Sequence, residues 1–102
     1  MISFIFNKKQ QVEALCAQYN VKQLYAFGSV CTDKFNDSSD IDLLYRFSEG
    51  IPEEKYPDNF FAFEDALTKL FNREVDLVPE QYLRNPYFIK ELEKTKILIY
   101  DR

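Results

Sequence analysis

The sequence predicts an α/β domain of the α+β kind, a small mixed β-sheet packed with helices. Three observations carry that prediction. The 102 residues are 46% apolar and 17% aromatic, with ten Phe and seven Tyr, which is enough for a packed core and unlike a disordered chain. Segments with helical apolar spacing alternate with short β-type runs, the pattern of helices laid on a sheet. No repeat, low-complexity tract or linker interrupts the chain, so residues 1–102 read as a single domain.

Taken in order, Asn7 is a candidate cap for a helix reaching about Tyr19, with Val12, Leu15, Cys16 and Tyr19 on one stripe and Asn20 as its stop. "VKQLYAF" reads as a strand, with Val21, Gln23, Tyr25 and Phe27 on one face and Leu24 and Ala26 on the other. Gly28-Ser29 ends it, and residues 30–39 are polar, with room for one helical turn. "DIDLLYRF" is the strongest strand signal in the chain. "SEGIPEEKYPDN" is a loop, marked by Gly50, Pro52 and Pro57. Asp58 or Asn59 caps a helix from Phe60 to Phe71 that buries Phe60, Phe63, Leu67 and Leu70 and stops at Asn72. "EVDLVP" is a third strand closed by Pro79. Asn85-Pro86 is a cap followed by a first-turn proline, opening a helix to about Lys94, and "KILIY" is a last short strand. Strand order in the sheet does not follow from this pattern.

Composition excludes several chemistries. The formal net charge of -4 and the scattered basic residues, with no run longer than Lys8-Lys9, argue against general binding to a nucleic-acid backbone. There is no histidine, which removes Ser-His-Asp and Cys-His catalysis and every His-based metal site. Cys16 and Cys31 form no CxxC pattern, and Cys16 falls on the apolar side of its helix. The apolar start "MISFIF" precedes its positive charge, the wrong order for a signal peptide, and no run reaches membrane-spanning length. A cytoplasmic location is expected.

What remains is oxygen chemistry. In a strand, alternate side chains share a face, so Asp40 and Asp42 point one way while Ile41 and Leu43 point into the core. Their Cα atoms would lie roughly 6–7 Å apart. Two carboxylates at that separation repel each other unless a counter-charge joins them. Mg²⁺ suits them, because it takes oxygen ligands and is typically held by one or two carboxylates together with substrate phosphates. A Gly-Ser turn after a strand supplies the complementary half: Gly28 permits close approach, backbone N–H groups face an anion, and Ser29 offers a hydroxyl. Asp76, between Val75 and Leu77, completes a carboxylate triad if its strand pairs beside Asp42. It would then serve as general base or as a ligand of the metal.

Gly28-Ser29, ten spacer residues, Asp40-Ile41-Asp42 and the later strand Asp76 together resemble the signature of the DNA polymerase beta-like nucleotidyltransferase superfamily. The short chain and its "VDLVP" resemble the minimal nucleotidyltransferase (MNT) branch. The resemblance implies the polymerase beta-like nucleotidyltransferase fold. It implies Mg²⁺, as two ions, on Asp40, Asp42 and Asp76, with ATP as donor and its triphosphate on Gly28 and Ser29. The reaction would be in-line attack of an acceptor hydroxyl on the α-phosphate with release of pyrophosphate. Thr32 and Asp33 stand where many members carry Arg and Gly, so Lys34 or Arg46 is the candidate replacement for the missing phosphate-side charge.

Minimal members are commonly paired with a helical HEPN toxin, for which the MNT protein is the antitoxin, and some place AMP on a tyrosine of that partner. Phe61, off the main apolar face of its helix, is the residue that suits such an interface, in a hetero-oligomer or a homodimer. Two other functions stay open: an inactive MNT-like module that neutralises a partner by contact, and transfer to a small molecule of the aminoglycoside type.

Overall fold

The computed structural model describes residues 1–102, the side chain of Tyr82 excepted. The elements follow as α1 (Ser3–Phe6), α2 (Lys9–Gln18), β1 (Val21–Phe27), β2 (Ile41–Phe47), α3 (Tyr56–Phe71), β3 (Val75–Pro79), α4 (Pro86–Thr95) and β4 (Ile97–Asp101). Short 3₁₀ turns occupy Gly28–Cys31, Glu53–Lys55 and Glu80–Tyr82. The four strands form one sheet in the order β3-β2-β1-β4. β1 lies antiparallel to both β2 and β4, while β2 and β3 are parallel, with α3 supplying the crossover that a parallel pair requires.

One face of the sheet carries the main core. Leu24, Ala26, Ile41, Leu43, Tyr45, Val75, Leu77 and Ile99 pack there against Val12 and Cys16 of α2 and Phe63, Leu67 and Phe71 of α3. The opposite face is only partly covered. Leu44 and Leu92, both buried, meet under α4, and Phe27 packs edge-on against Phe88 at 6.0 Å between ring centroids. β2 is therefore buried on both faces at its centre, Leu43, Leu44 and Tyr45, where its apolar run is continuous.

Four expectations need correction. Asn7 does not cap α2. It closes α1, and the helical path restarts after Lys8 with no side-chain cap. The cause is the apolar start: Ile5 is fully buried, so the first residues fold onto the core instead of preceding it. On β1, Val21 joins Leu24 and Ala26 in the core, because an irregularity between Val21 and Gln23 breaks the alternation. α3 begins at Tyr56, earlier than Asp58 or Asn59 would have it, with Pro57 inside its first turn, where a proline costs nothing because that N–H has no helical partner. Asn59 instead donates its side-chain amide to the Tyr19 carbonyl at the end of α2. Finally, Phe60 and Leu70 are only half-buried, and Phe71 takes the core place.

Other signals are matched. Asn20 and Asn72 both adopt left-handed backbone, with φ of 61° and 54°, and end α2 and α3. Asn85 accepts from the backbone N–H groups of Tyr87 and Phe88 at 2.9 and 3.2 Å, and Pro86 occupies the first turn of α4. Replacing Asn85 with Ala should lower the unfolding free energy by about 1 kcal/mol in urea titrations, the usual worth of such a cap.

Candidate active site

The site forms where β1, β2 and β3 run side by side at one end of the sheet. Asp42 is the second residue of β2. Its backbone partner on one side is Phe27, the last residue of β1, and on the other side it is Asp76 of β3. Paired residues of neighbouring strands share a face, so Asp42 and Asp76 lie beside each other at the usual strand spacing of about 4.8 Å. Asp40 immediately precedes β2 and is exposed, as is Asp76, whereas Asp42 is half-buried. Ile41 and Leu43 are fully buried on the other face, as the alternation requires.

The electrostatics of Asp42 report the same convergence. Its carboxyl is pushed above the ordinary value of 3.8, first by burial, then by the charge of Asp76, then by that of Asp40. Asp76 and Asp40 thus both act on Asp42, which stands between them. Among the described residues, no positive group lowers the Asp42 carboxyl in return.

Gly28 follows Phe27 with φ +74°, a backbone state that side chains rarely adopt. A Cβ placed there would lie 3.2 Å from Cγ of Asp42 and would meet its Oδ2 oxygen still more closely. The turn therefore wraps directly against the Asp42 carboxylate. The space left by the missing Cβ, expected to admit a phosphate, is taken first by this side chain.

The Gly28–Cys31 turn holds Ser29 next to that carboxylate. Thr32 secures the turn, its N–H and its hydroxyl both donating to the Ser29 carbonyl at 2.9 Å, while its oxygen accepts from the Lys34 N–H. A residue that departs from the family pattern thus has a local structural task. The turn is a single 3₁₀ turn and not the start of a long helix, so its N–H groups act without a strong helix dipole.

The two candidate cations diverge. Lys34 is exposed on the same loop. Arg46 lies four residues beyond Asp42, about 13 Å along the strand at the usual rise. Its guanidinium is bound to Glu80 at 3.1 Å, with buried Leu44 intervening on that face. It is not positioned as a phosphate ligand. Phe27 and Arg73 went unmarked in the sequence reading. Only strand register exposes Phe27 as a wall of the site, and Arg73 is taken up below.

Among the described residues, no three His, Cys, Asp or Glu side chains are gathered as a ready-made metal cage. The donor set nevertheless fits Mg²⁺. It consists of carboxylates only, is uncompensated at Asp42, and is of the size that leaves coordination positions for phosphate oxygens and water.

With this geometry in place, the comparisons with known proteins can be stated. Residues 10–102 match the family described as Polymerase beta, Nucleotidyltransferase. A protein of Methanocaldococcus jannaschii named "Putative protein adenylyltransferase" is 35% identical over 100 residues, spanning 96% of this chain and 94% of that one. A solved structure described as a "putative minimal nucleotidyltransferase" superposes with a TM-score of 0.75 at 27% identity, over 94% of this chain and 93% of the other. A complex of tri-AMPylated Shewanella oneidensis HEPN toxin with MNT antitoxin matches with a TM-score of 0.64 at 13% identity, over all of this chain and 74% of the other. The last likeness bears on fold alone.

Proposed function

The chain belongs to the polymerase beta nucleotidyltransferase family, and we propose that it transfers AMP from ATP to a protein hydroxyl, a tyrosine of a HEPN-type helical partner, and thereby acts as an antitoxin. The observation that carries this reading is the register that seats Asp42 between Asp76 and the Phe27-Gly28 end of β1. That arrangement supports the reading because it packs the tight turn directly against the Asp42 carboxylate.

Asp40 and Asp42 would hold Mg²⁺, which when bound supplies charge neutralisation to the triphosphate and the departing pyrophosphate. The turn at Gly28-Ser29 orients the phosphates through its N–H groups and the Ser29 hydroxyl, and Lys34 adds positive charge from the loop. Asp76, exposed beside Asp42, receives the proton of the attacking hydroxyl. The acceptor oxygen forms its bond to the α-phosphorus as the bond to the bridging oxygen breaks. Pyrophosphate carries away the electron pair. Most of the rate then comes from holding nucleophile and phosphorus in line.

A protein acceptor is supported by the surface opposite the catalytic end. Phe61 is 62% exposed and stands over an apolar cleft of about 340 Å³ lined by Tyr45, Tyr56, Pro57, Phe60 and Pro79. Such a patch fits a partner that is held as a folded protein and not as a small molecule.

The test is incubation with labelled ATP, Mg²⁺ and the neighbouring-gene helical protein. A mass gain of one AMP on the partner, absent with Asp42→Ala, is expected. No gain with any nucleoside triphosphate would reject the enzymatic reading. One observation favours a second reading, a module that neutralises its partner by contact: Arg46 is tied to Glu80 and so does not serve the phosphate side. On that reading Asp42→Ala would still protect cells from the partner.

A further inference from the structure

Arg73 sits between the end of α3 and the start of β3, and its side chain joins the segment leading to Asp40 to the Phe4 ring of α1. Its Nη1 donates to the backbone carbonyls of Asn36 and Ser39, both at 2.8 Å. Its guanidinium lies over the Phe35 ring at 4.4 Å and over the Phe4 ring at 4.8 Å. Residues 36–39 form a self-bonded turn. Ser39 N–H donates to the Asn36 carbonyl at 3.0 Å, Ser38 N–H to the Asn36 side chain at 2.8 Å, and Asn36 N–H to the Ser39 hydroxyl at 3.1 Å. Two residues further, Ile41 N–H donates to the Glu74 carbonyl at 3.0 Å, which opens the β2–β3 ladder. Asp40 is thus the one residue between a turn clamped by Arg73 and a strand clamped by the neighbour of Arg73.

We propose that Arg73 is a positioning residue for this site: by holding the Asn36–Ser39 turn against the start of β3, it fixes where the Asp40 carboxylate emerges beside Asp42 and Asp76, and so sets the affinity for a divalent cation. The inference rests on the reading of Asp40 and Asp42 as cation ligands. Its physical basis is that an acid just outside a strand inherits its direction from the turn before it, and that outer groups holding metal ligands are commonly worth 10–100-fold in affinity. The planar guanidinium is what lets one side chain lie against two neighbouring rings and still serve two carbonyls.

The sign of the effect separates this role from bulk electrostatics. Arg73 is a positive charge, so deleting it should strengthen cation binding if charge alone mattered. Positioning requires the reverse. The experiment is titration with Mn²⁺, read by the loss of the free-ion electron paramagnetic resonance signal, well below the unfolding temperature of every variant. Arg73→Ala should bind Mn²⁺ at least 10-fold more weakly than wild type, in line with the outer-group range. Arg73→Lys keeps the charge but not the flat two-ring contact, and should also lose affinity. Ile99→Ala opens a cavity in β4 at the far edge of the sheet, costs stability, and should bind as wild type does.

Unchanged or tighter binding by Arg73→Ala overturns the proposal, as does an equal loss in Ile99→Ala. A wild-type protein that leaves the free Mn²⁺ signal untouched overturns the cation reading itself and this role with it, a result distinct from a wild type that binds and a variant that keeps pace.

Discussion

Asp42→Asn should lose AMP transfer by about 10³-fold, the rate equivalent of several kcal/mol of charge stabilisation, while the same protein melts at a higher temperature than wild type at neutral pH. The two effects have opposite signs because the charge that the proposed chemistry needs at Asp42 is one that its surroundings penalise. Burial and the charges of Asp76 and Asp40 hold its carboxyl above the ordinary value. In the window between that ordinary value and the raised one, the folded state binds more proton than the unfolded state. Stability therefore falls as pH rises through the window, and above it the full cost of the charged carboxylate persists. Asparagine carries no such cost at any pH. The melting advantage of Asp42→Asn should be complete at neutral pH and vanish as pH drops below 3.8. Added Mg²⁺ should raise the melting temperature of wild type and leave that of the variant nearly unmoved. An Asp42→Asn protein that melts below wild type at neutral pH would show that the carboxylate supports the fold and does not burden it.

This conflict at Asp42 also explains which parts of the molecule could be read from its residues. Elements with local signatures were legible: Asn85-Pro86 caps α4, Asn20 and Asn72 end helices in left-handed backbone, and Ile41 and Leu43 alternate into the core. The acids of the site were visible for the same reason, since charge at the head of an apolar strand stands out against its surroundings. What stayed hidden depends on partners distant in sequence. Asp76 pairs with Asp42 only because β3 lies parallel to β2, and neither strand states its neighbour. Arg46 looked free on its strand face, but Glu80 arrives from the turn after β3 and engages it. Pro57 read as a loop marker because proline breaks helices in their interiors, yet the position it takes is the first turn of α3. The apolar residues before Asn7 carry no local mark of a core element. Ile5 is buried only because the groove that receives it is assembled by the rest of the chain.

Gly28→Ala is the second large expected effect, and Gly50 provides its internal comparison. Both glycines have positive φ, +74° and +97°, so alanine at either position carries a backbone cost of about 1–2 kcal/mol. Around Gly50, among the described residues, no heavy atom beyond its chain neighbours lies within 4 Å of an added Cβ, whereas at Gly28 that atom meets the Asp42 carboxylate. Gly50→Ala should therefore show the backbone cost alone and full transfer activity. Gly28→Ala should lose more stability than Gly50→Ala and about 10²-fold in transfer rate, since displacing a reacting-centre carboxylate by even about 1 Å has that consequence. Truncating the obstacle identifies the cause. In an Asp42→Ala background the collision is gone, and the stability cost of Gly28→Ala should shrink to that of Gly50→Ala. Equal costs for Gly28→Ala in both backgrounds would mean that the carboxylate moves aside without resistance. The glycine would then be needed for its backbone angle, and the packing of turn against acid would not be what holds the catalytic end together.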